Sequence, residues 1–379
     1  MIGRPYFRAA LLGVGAAFVL ALGPANAQDM KAEVEALKKR VAELESGTSV
    51  TVSGYVKGDL YLDTHDDLGR AFDPTSVRLD GAAGDDAEDG SFGAHAGQSR
   101  VRIGTSTDTA HGALKTVVEG HFFGGSAFTL RHAHGVLGPV LVGQAWSIIV
   151  DEDTFASTVD FNGPAGTNFT RQPQLRLSLP IGGGLIGQMA VEPGIEGNEL
   201  PKFLAAVRYR AGWGAINAAG AMGRIDRNMA AKGAPADWQN ENAYALHFGA
   251  NFNVADGTQL VATLNATRGW DLIWGSANGA SADASGDLTT RETMGGIAGA
   301  SHSWSDTIST GIYFGWVEND SADAADPVND AVQTVHANVF WKPVPAASVG
   351  FEVMHGRREV SDGSSGEATR LQIGVQYSF

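Results

Sequence analysis

The feature that most constrains this chain is a two-residue alternation that runs from Val50 to the last residue. It is clearest at the C-terminus, where polar or small residues alternate with Leu371, Ile373, Val375, Tyr377 and Phe379. A period of two places successive side chains on opposite faces of a β-strand. One face of the terminal strand is therefore apolar to its last residue, and the other is polar.

The alternation also restricts how the chain can cross a membrane. No stretch after residue 27 approaches the roughly 20 consecutive apolar residues that a spanning helix needs. A closed barrel is the other structure that satisfies every backbone polar group in lipid. The chain has no cysteine, whereas small exported domains often depend on disulfides. We predict an all-β fold over residues 48–379: a transmembrane, antiparallel, up-and-down β-barrel.

Short turns and long connections alternate along this region, as such barrels require. Short turns are predicted near 107–111, 138–139, 180–184, 211–212, 256–257, 305–306 and 342–345. Long connections are predicted near 63–97, 147–170, 193–201, 227–242, 271–288, 318–330 and 361–367, with a smaller one at 124–125. Seven turns and eight connections predict about 16 strands, with both barrel ends on the periplasmic side.

The N-terminus has the pattern of a secretory signal peptide over residues 1–27. Arg4 and Arg8 precede an apolar run that closes with the small-x-small triplet Ala25-Asn26-Ala27. We expect cleavage before Gln28. A signal anchor that stays attached is the alternative.

Residues 28–47 follow a different period and are predicted to form a short periplasmic coiled coil. The apolar residues of its seam follow one another at intervals of 4, 3, 4 and 3 residues: Met30, Val34, Leu37, Val41 and Leu44. So short a helix needs another source of oligomerisation, which a symmetric barrel oligomer would supply. The alternative is a single amphipathic helix lying on a surface or in the pore.

Strand parity predicts which charged side chains line the pore. Arg100 and Arg102 alternate with Val101 and Ile103, so the arginines face inward. The same reasoning assigns to the lumen Arg131, Arg176, Arg208 and Arg210. The net charge of −15 comes largely from acidic residues in the connections, so it does not predict pore selectivity. The alternative is that these arginines pair with carboxylates and brace the wall.

The third long connection, 147–170, is predicted to fold into the lumen and narrow it. It ends at Arg171 and carries four acidic residues that would face the arginines: Asp151, Glu152, Asp153 and Asp160. An ordinary surface loop is the alternative, because length alone does not fix a loop's direction.

Two other clusters are weaker candidates for ligand sites. His132 and His134 share a face near His121, but no carboxylate or fourth ligand accompanies them, so packing is favoured over a metal site. The stretch 85–90 lacks two of the ligands of a calcium loop. We therefore expect no metal, no cofactor and no nucleic-acid partner.

Several motifs follow one another in a characteristic order: the runs 98–104, 118–122, 130–135, 143–147 and 171–174, after a predicted coiled coil and a first strand at 50–55. Their order and spacing resemble the DcaP-like family of trimeric outer-membrane porins. The resemblance implies a 16-stranded homotrimer that takes up small anionic solutes such as dicarboxylates. It implies selecting roles for Arg100, Arg102, Arg131, Arg171 and Arg176. Tyr377 and Phe379 likewise resemble the C-terminal signature by which outer-membrane proteins reach the barrel-assembly machinery.

These observations predict a passive porin in the bacterial outer membrane, surrounded by lipid, that favours organic anions and is not an enzyme. A non-selective or cation-preferring porin is the alternative within the same class. From other classes, a structural tether built on the coiled coil and a barrel hydrolase remain alternatives. The chain contains no Gly-x-Ser-x-Gly nucleophile motif.

Overall fold

A computed structural model describes most of the region predicted to form the barrel. The described residues are Glu35 and the ranges 47–64, 67–81, 90–125, 127–195, 200–230, 235–283, 285–320 and 328–379. The predicted signal peptide and the five seam residues from Met30 to Leu44 lie outside the described residues.

Nineteen strands and two 3-10 turns make up the regular structure of the described barrel residues. The 3-10 turns are Pro74–Ser76 and Glu152–Thr154. The strands are β1 Thr48–Asp63, β2 Ser91–His95, β3 Arg100–Thr109, β4 Gly112–His121, β5 Thr129–Leu137, β6 Val140–Trp146, β7 Arg171–Gly182, β8 Leu185–Glu192, β9 Lys202–Ala211, β10 Gly214–Asn228, β11 Trp238–Ala255, β12 Thr258–Arg268, β13 Ala280–Ala282, β14 Leu288–Thr290, β15 Glu292–Ser303, β16 Ile308–Asn319, β17 Asn329–Val344, β18 Ala347–Val360 and β19 Ser365–Ser378.

The strands close into one antiparallel barrel whose wall has sixteen strand positions. The first strand, β1, pairs with β3 from Thr48 to Tyr55 and with the last strand, β19, from Tyr55 to Asp63. The short strand β2 continues the line of β3 against the second half of β1. A separate hairpin, β13 and β14, lies within the connection from β12 to β15. The predicted fold and strand number are confirmed, and the turns and connections alternate as expected.

The outer and inner faces of the wall differ as the alternation predicted. On β18, Phe351 and Val353 are exposed, whereas Glu352 and Met354, which alternate with them along the strand, are buried. Lipid is the solvent of such an outer face, so exposed apolar side chains there are stabilising. Tyr377 and Phe379 are also exposed at the end of the chain. No described helix is both long and apolar enough to cross a membrane.

The interior is partly filled by three connections that fold back into the barrel. Segment 147–170 contributes Ile148, Ile149 and Val150 to an apolar cluster that includes Ile225 and Trp270. Connection 64–90 packs Leu68, Phe72 and Val77 against Met354 and Ala368. Connection 269–291 packs Ile273 against Ala165, Val317 and Val332. These connections therefore narrow the open space inside the barrel.

Candidate permeation site

Segment 147–170 crosses the lumen and is fixed to the opposite wall. The carboxylate of Glu352 on β18 accepts hydrogen bonds from the backbone N–H groups of Val159 and, at 2.8 Å, Asp160. The side chain of Asn265 on β12 donates to the carbonyl of Gly166 at 2.7 Å. These contacts supply partners to backbone groups that would otherwise be buried without them. The segment lies inside the barrel, and its role in limiting solute size stays a prediction.

Close approach of backbones brings the segment against the wall at Gly315 on β16. A Cβ added to Gly315 would lie 2.2 Å from the carbonyl oxygen of Ala165. On the next strand, the hydroxyl oxygen of Thr334 accepts a hydrogen bond from the backbone N–H of Ala165 at 3.0 Å. Glycine at position 315 is therefore required by space, not by backbone conformation.

The four acidic residues of the segment have different surroundings. Asp151 is buried and lies 3.5 Å from Arg208, while Asp153 pairs with Arg210 at 2.6 Å. Burial raises the pKa of Asp151 above its ordinary range, opposed by the charge of Arg208. Glu152 lines the open lumen beside them. Two of the acids thus neutralise wall arginines, as the bracing alternative predicted for individual residues.

Asp160 is held by backbone N–H groups of its own segment and of the first connection. Its carboxylate accepts N–H hydrogen bonds from Phe72 at 2.8 Å, from Asn162 at 2.8 Å and from Gly163 at 3.2 Å. The Phe72 bond joins the first and third connections inside the barrel. Burial raises the pKa of Asp160, and the nearby Glu352 charge acts in the same direction while the Phe72 N–H opposes it.

Three of the predicted pore arginines converge on one carboxylate, that of Glu119 on β4. Its Oε1 lies 3.4 Å from Nη1 of Arg100 and 2.9 Å from Nε of Arg131. Its Oε2 lies 3.2 Å from Nη1 of Arg102. The contacts of Arg102 and Arg131 are charge-assisted hydrogen bonds, and that of Arg100 is an ion pair. The carboxylate that they share is buried. Residue-by-residue reasoning from the sequence did not single out Glu119.

A β-bulge on β5 explains how Arg131 reaches this cluster. The register with β4 pairs Glu119 with His132 and Gly120 with Leu130, which leaves Arg131 as the extra residue. Such a bulge breaks the two-residue alternation locally and re-aims side chains. Both Arg131 and His132 are consequently buried and border the same cavity, although simple parity placed them on opposite faces.

Arg171, at the start of β7, completes the cluster in a different way. Its guanidinium lies 3.4 Å from the centre of the Trp146 ring, which is stacking distance. Within the described part of the chain, it has no carboxylate within ion-pair distance, and its buried Nε lacks a hydrogen-bond partner. Nη1 of Arg131 and Nε of Arg100 are also buried without an acceptor. Several donors of the cluster are therefore unsatisfied.

These four arginines line a cavity of about 470 Å³ between the wall and segment 147–170. The carboxylates of Glu119, Glu152 and Asp160 border it as well. The remaining lining is largely aromatic or apolar and includes Tyr55, Trp146, Phe155, Phe161, Phe169 and Trp274. A space of this size and lining accommodates a small anion together with an apolar part.

The other predicted arginines form a second group nearer the short turns. Arg208 donates at 2.8 Å to the carbonyl of Val150 and approaches Asp151, and Arg210 pairs with Asp153. Arg176 lies within electrostatic range of Arg208 and Glu152. The 3-10 turn Glu152–Thr154 therefore contacts both groups of arginines: Glu152 lines the cavity of the first group, and Asp153 pairs with Arg210 of the second.

The histidines noted in the sequence pack among aromatic rings. His121 stacks on Phe161, with ring centres 5.4 Å apart, and His132 contacts Trp146 edge-on at 6.0 Å. Across the described ranges, no three His, Cys, Asp or Glu side chains form a group that could hold a metal ion.

Comparison with known proteins agrees with the barrel fold. The DcaP outer membrane protein family model matches residues 50–193. No curated protein sequence matches the chain. The outer membrane channel DcaP of Acinetobacter baumannii has a similar fold, with 20% identity and a TM-score of 0.77 over 88% of this chain and 98% of that one.

Other porins share the barrel at lower identity. An anion-selective porin from Comamonas acidovorans is 14% identical, with a TM-score of 0.60 over 88% of this chain and 100% of that one. OmpF of Salmonella typhi is 12% identical, with a TM-score of 0.61 over 88% and 99%. The resemblance inferred from the sequence motifs is confirmed: residues 50–193 match the DcaP outer membrane protein family, and the barrel has the porin fold.

Proposed function

We propose that this protein is a passive diffusion channel for small hydrophilic solutes that favours organic anions such as dicarboxylates. The observation that carries the proposal is the cluster of Arg100, Arg102, Arg131 and Arg171 around one cavity, with buried N–H groups on three of them lacking an acceptor. A buried donor without a partner is costly. An anionic solute would supply the missing acceptors while it passes.

The charge around the cavity supports a preference for anions. Four guanidinium groups face three carboxylates, and two of these carboxylates are already engaged, Glu119 with arginines and Asp160 with backbone N–H groups. A narrow passage with a low-dielectric wall strengthens the field of the remaining positive charge.

Passive exchange requires contacts that are multiple and weak. The two groups of arginines along the wall would offer a solute carboxylate successive weak binding sites. Segment 147–170 would set the size limit for the solute. We assign selecting roles to Arg100, Arg102, Arg131, Arg171, Arg176, Arg208 and Arg210, and a constricting role to the segment with Asp151, Glu152, Asp153 and Asp160.

The proposal extends to assembly and location. The family match and the fold favour a channel in the outer membrane over an enzyme or a tether. Residues 28–47 would lie in the periplasm and the barrel would form a homotrimer in lipid. Tyr377 and Phe379 are exposed on the terminal strand, where the barrel-assembly machinery would engage them. A similar barrel, OmpT of Vibrio cholerae, has a trimer form.

The test is the reversal potential of the purified protein in a planar bilayer under a salt gradient. We expect anion selectivity in the wild type and a clear fall in R131A and R171A. R357A is the matched control, because Arg357 is exposed on the outer face of β18 and carries the same charge. Cation selectivity of the wild type would reject the anion preference and assign control to the acidic connections.

A further inference from the structure

Glu119 occupies the position in the arginine cluster at which a solute carboxylate would bind. Its two oxygens accept hydrogen bonds from Arg102 at 3.2 Å and from Arg131 at 2.9 Å. One of them also forms an ion pair with Arg100 at 3.4 Å. Arginine recognises carboxylates through this kind of charge-assisted contact. Part of the cluster's binding capacity is therefore already used by the protein itself.

The backbone fixes this arrangement from two sides. Glu119 lies directly opposite Arg102 in the β3–β4 register, so the two side chains meet on one face of the sheet. The bulge on β5 adds Arg131 from the other side. The side chain of Glu119 is 5% exposed, which leaves its carboxylate little freedom to move away from the arginines.

Arg171 is the member of the cluster that Glu119 does not engage. It stacks on Trp146, and no described carboxylate lies within 4.0 Å of it. The cavity thus combines one guanidinium that is ready for a solute with three whose charge is shared with an internal anion. Both kinds face the same space.

We infer that Glu119 is an intrinsic counterion that competes with the permeating anion and thereby keeps solute binding weak and transit fast. The inference rests on the proposed function, because it concerns the same passage. Glu119 is a positioning residue here: it acts on the solute through Arg100, Arg102 and Arg131. Removing its charge frees their N–H groups for the solute, so the solute should bind more tightly and leave more slowly.

The experiment uses single-channel recording of the full chain with succinate as the probe. In E119Q, which keeps the shape of the side chain, we expect higher anion selectivity and succinate blocks that last roughly tenfold longer, as expected for one added charge-assisted hydrogen bond. E367Q is the matched control, because Glu367 is exposed on β19. A merely bracing glutamate would not lengthen the blocks when it is neutralised.

Each outcome separates this inference from the proposed function. A wild type that does not prefer anions rejects the proposed function itself. An anion-selective wild type whose succinate block times are unchanged or shortened in E119Q overturns only the role of Glu119. If E119Q does not assemble, E119D keeps the charge but draws it back by one methylene. E119D block times equal to those of the wild type would then overturn the inference.

Discussion

Arg370 and Asp63 make a double hydrogen bond across the seam where the last strand meets the first. Nε of Arg370 lies 2.6 Å from one carboxylate oxygen of Asp63, and Nη2 lies 2.7 Å from the other. Both side chains are fully buried. Arg370 also donates to the carbonyl of Gly69 and lies over the ring of Tyr61, so the pair joins barrel closure to the inward fold of the first connection.

We predict that R370A lowers the stability of the barrel by about 3–5 kcal/mol, because it leaves the Asp63 carboxylate buried without its partner. Thermal unfolding in detergent, followed by circular dichroism, measures the effect. R370K should recover only part of the loss, since lysine cannot make the paired contact. An unfolding temperature equal to that of the wild type would contradict the prediction.

Glu352 holds segment 147–170 to the far wall, so E352A should release it. Two backbone N–H groups would lose their acceptor, at about 1–3 kcal/mol each, and His336 would lose the Glu352 contact at 2.9 Å. We expect a larger conductance and entry of larger solutes in liposome swelling assays. The side chain of Glu359 on the same strand is 45% exposed and pairs with Arg357 on the outer face, so E359A should leave both properties as they are.

Gly315 should tolerate no side chain, because even a methyl group would meet Ala165 of the segment. We predict that G315A costs about 1–3 kcal/mol through overpacking and exposes the segment to protease. The matched change is G58A, where an added Cβ has no atom within 4 Å. Equal protease resistance of the two variants would show that the segment does not rest on β16.

The docking of Asp160 should depend on pH in a defined direction. Because burial raises the pKa of Asp160, the docked segment binds more protons than the released one between the ordinary and the raised pKa. Docking is therefore strongest below the ordinary range and weakens as the pH rises through the raised value. Protease protection of the segment at about pH 4 and about pH 7 tests this.

D160N should flatten that dependence, since asparagine keeps acceptor capacity without titrating. D256N, at the turn between β11 and β12, should leave it intact. Protection that increases as the pH rises would reverse the sign and refute the assignment.

The sequence predicted the barrel well because each strand carries its own evidence. Alternation and turn residues are local, and lipid on one side with polar groups on the other makes the pattern persistent. The C-terminal strand shows this: Leu371 is exposed and Arg370 and Gln372 are buried, as parity predicted.

The site was harder to predict because it depends on register and on an irregularity. The pairing of Arg102 with Glu119 follows from the hairpin that turns after Thr109, and a turn placed only to within several residues does not reveal it. The bulge at Arg131 breaks the periodicity on which parity relies. The inward folding of connections 64–90 and 269–291 depends on long-range packing, which leaves no local signal.

The attachment of segment 147–170 to the wall at Val159, Asp160, Ala165 and Gly166 has an electrical consequence. A constriction made by a tethered loop fluctuates, and its current flickers. Because these contacts hold the segment to the wall, we expect each open channel to carry a quiet current, and the proposed homotrimer would then give three equal current steps.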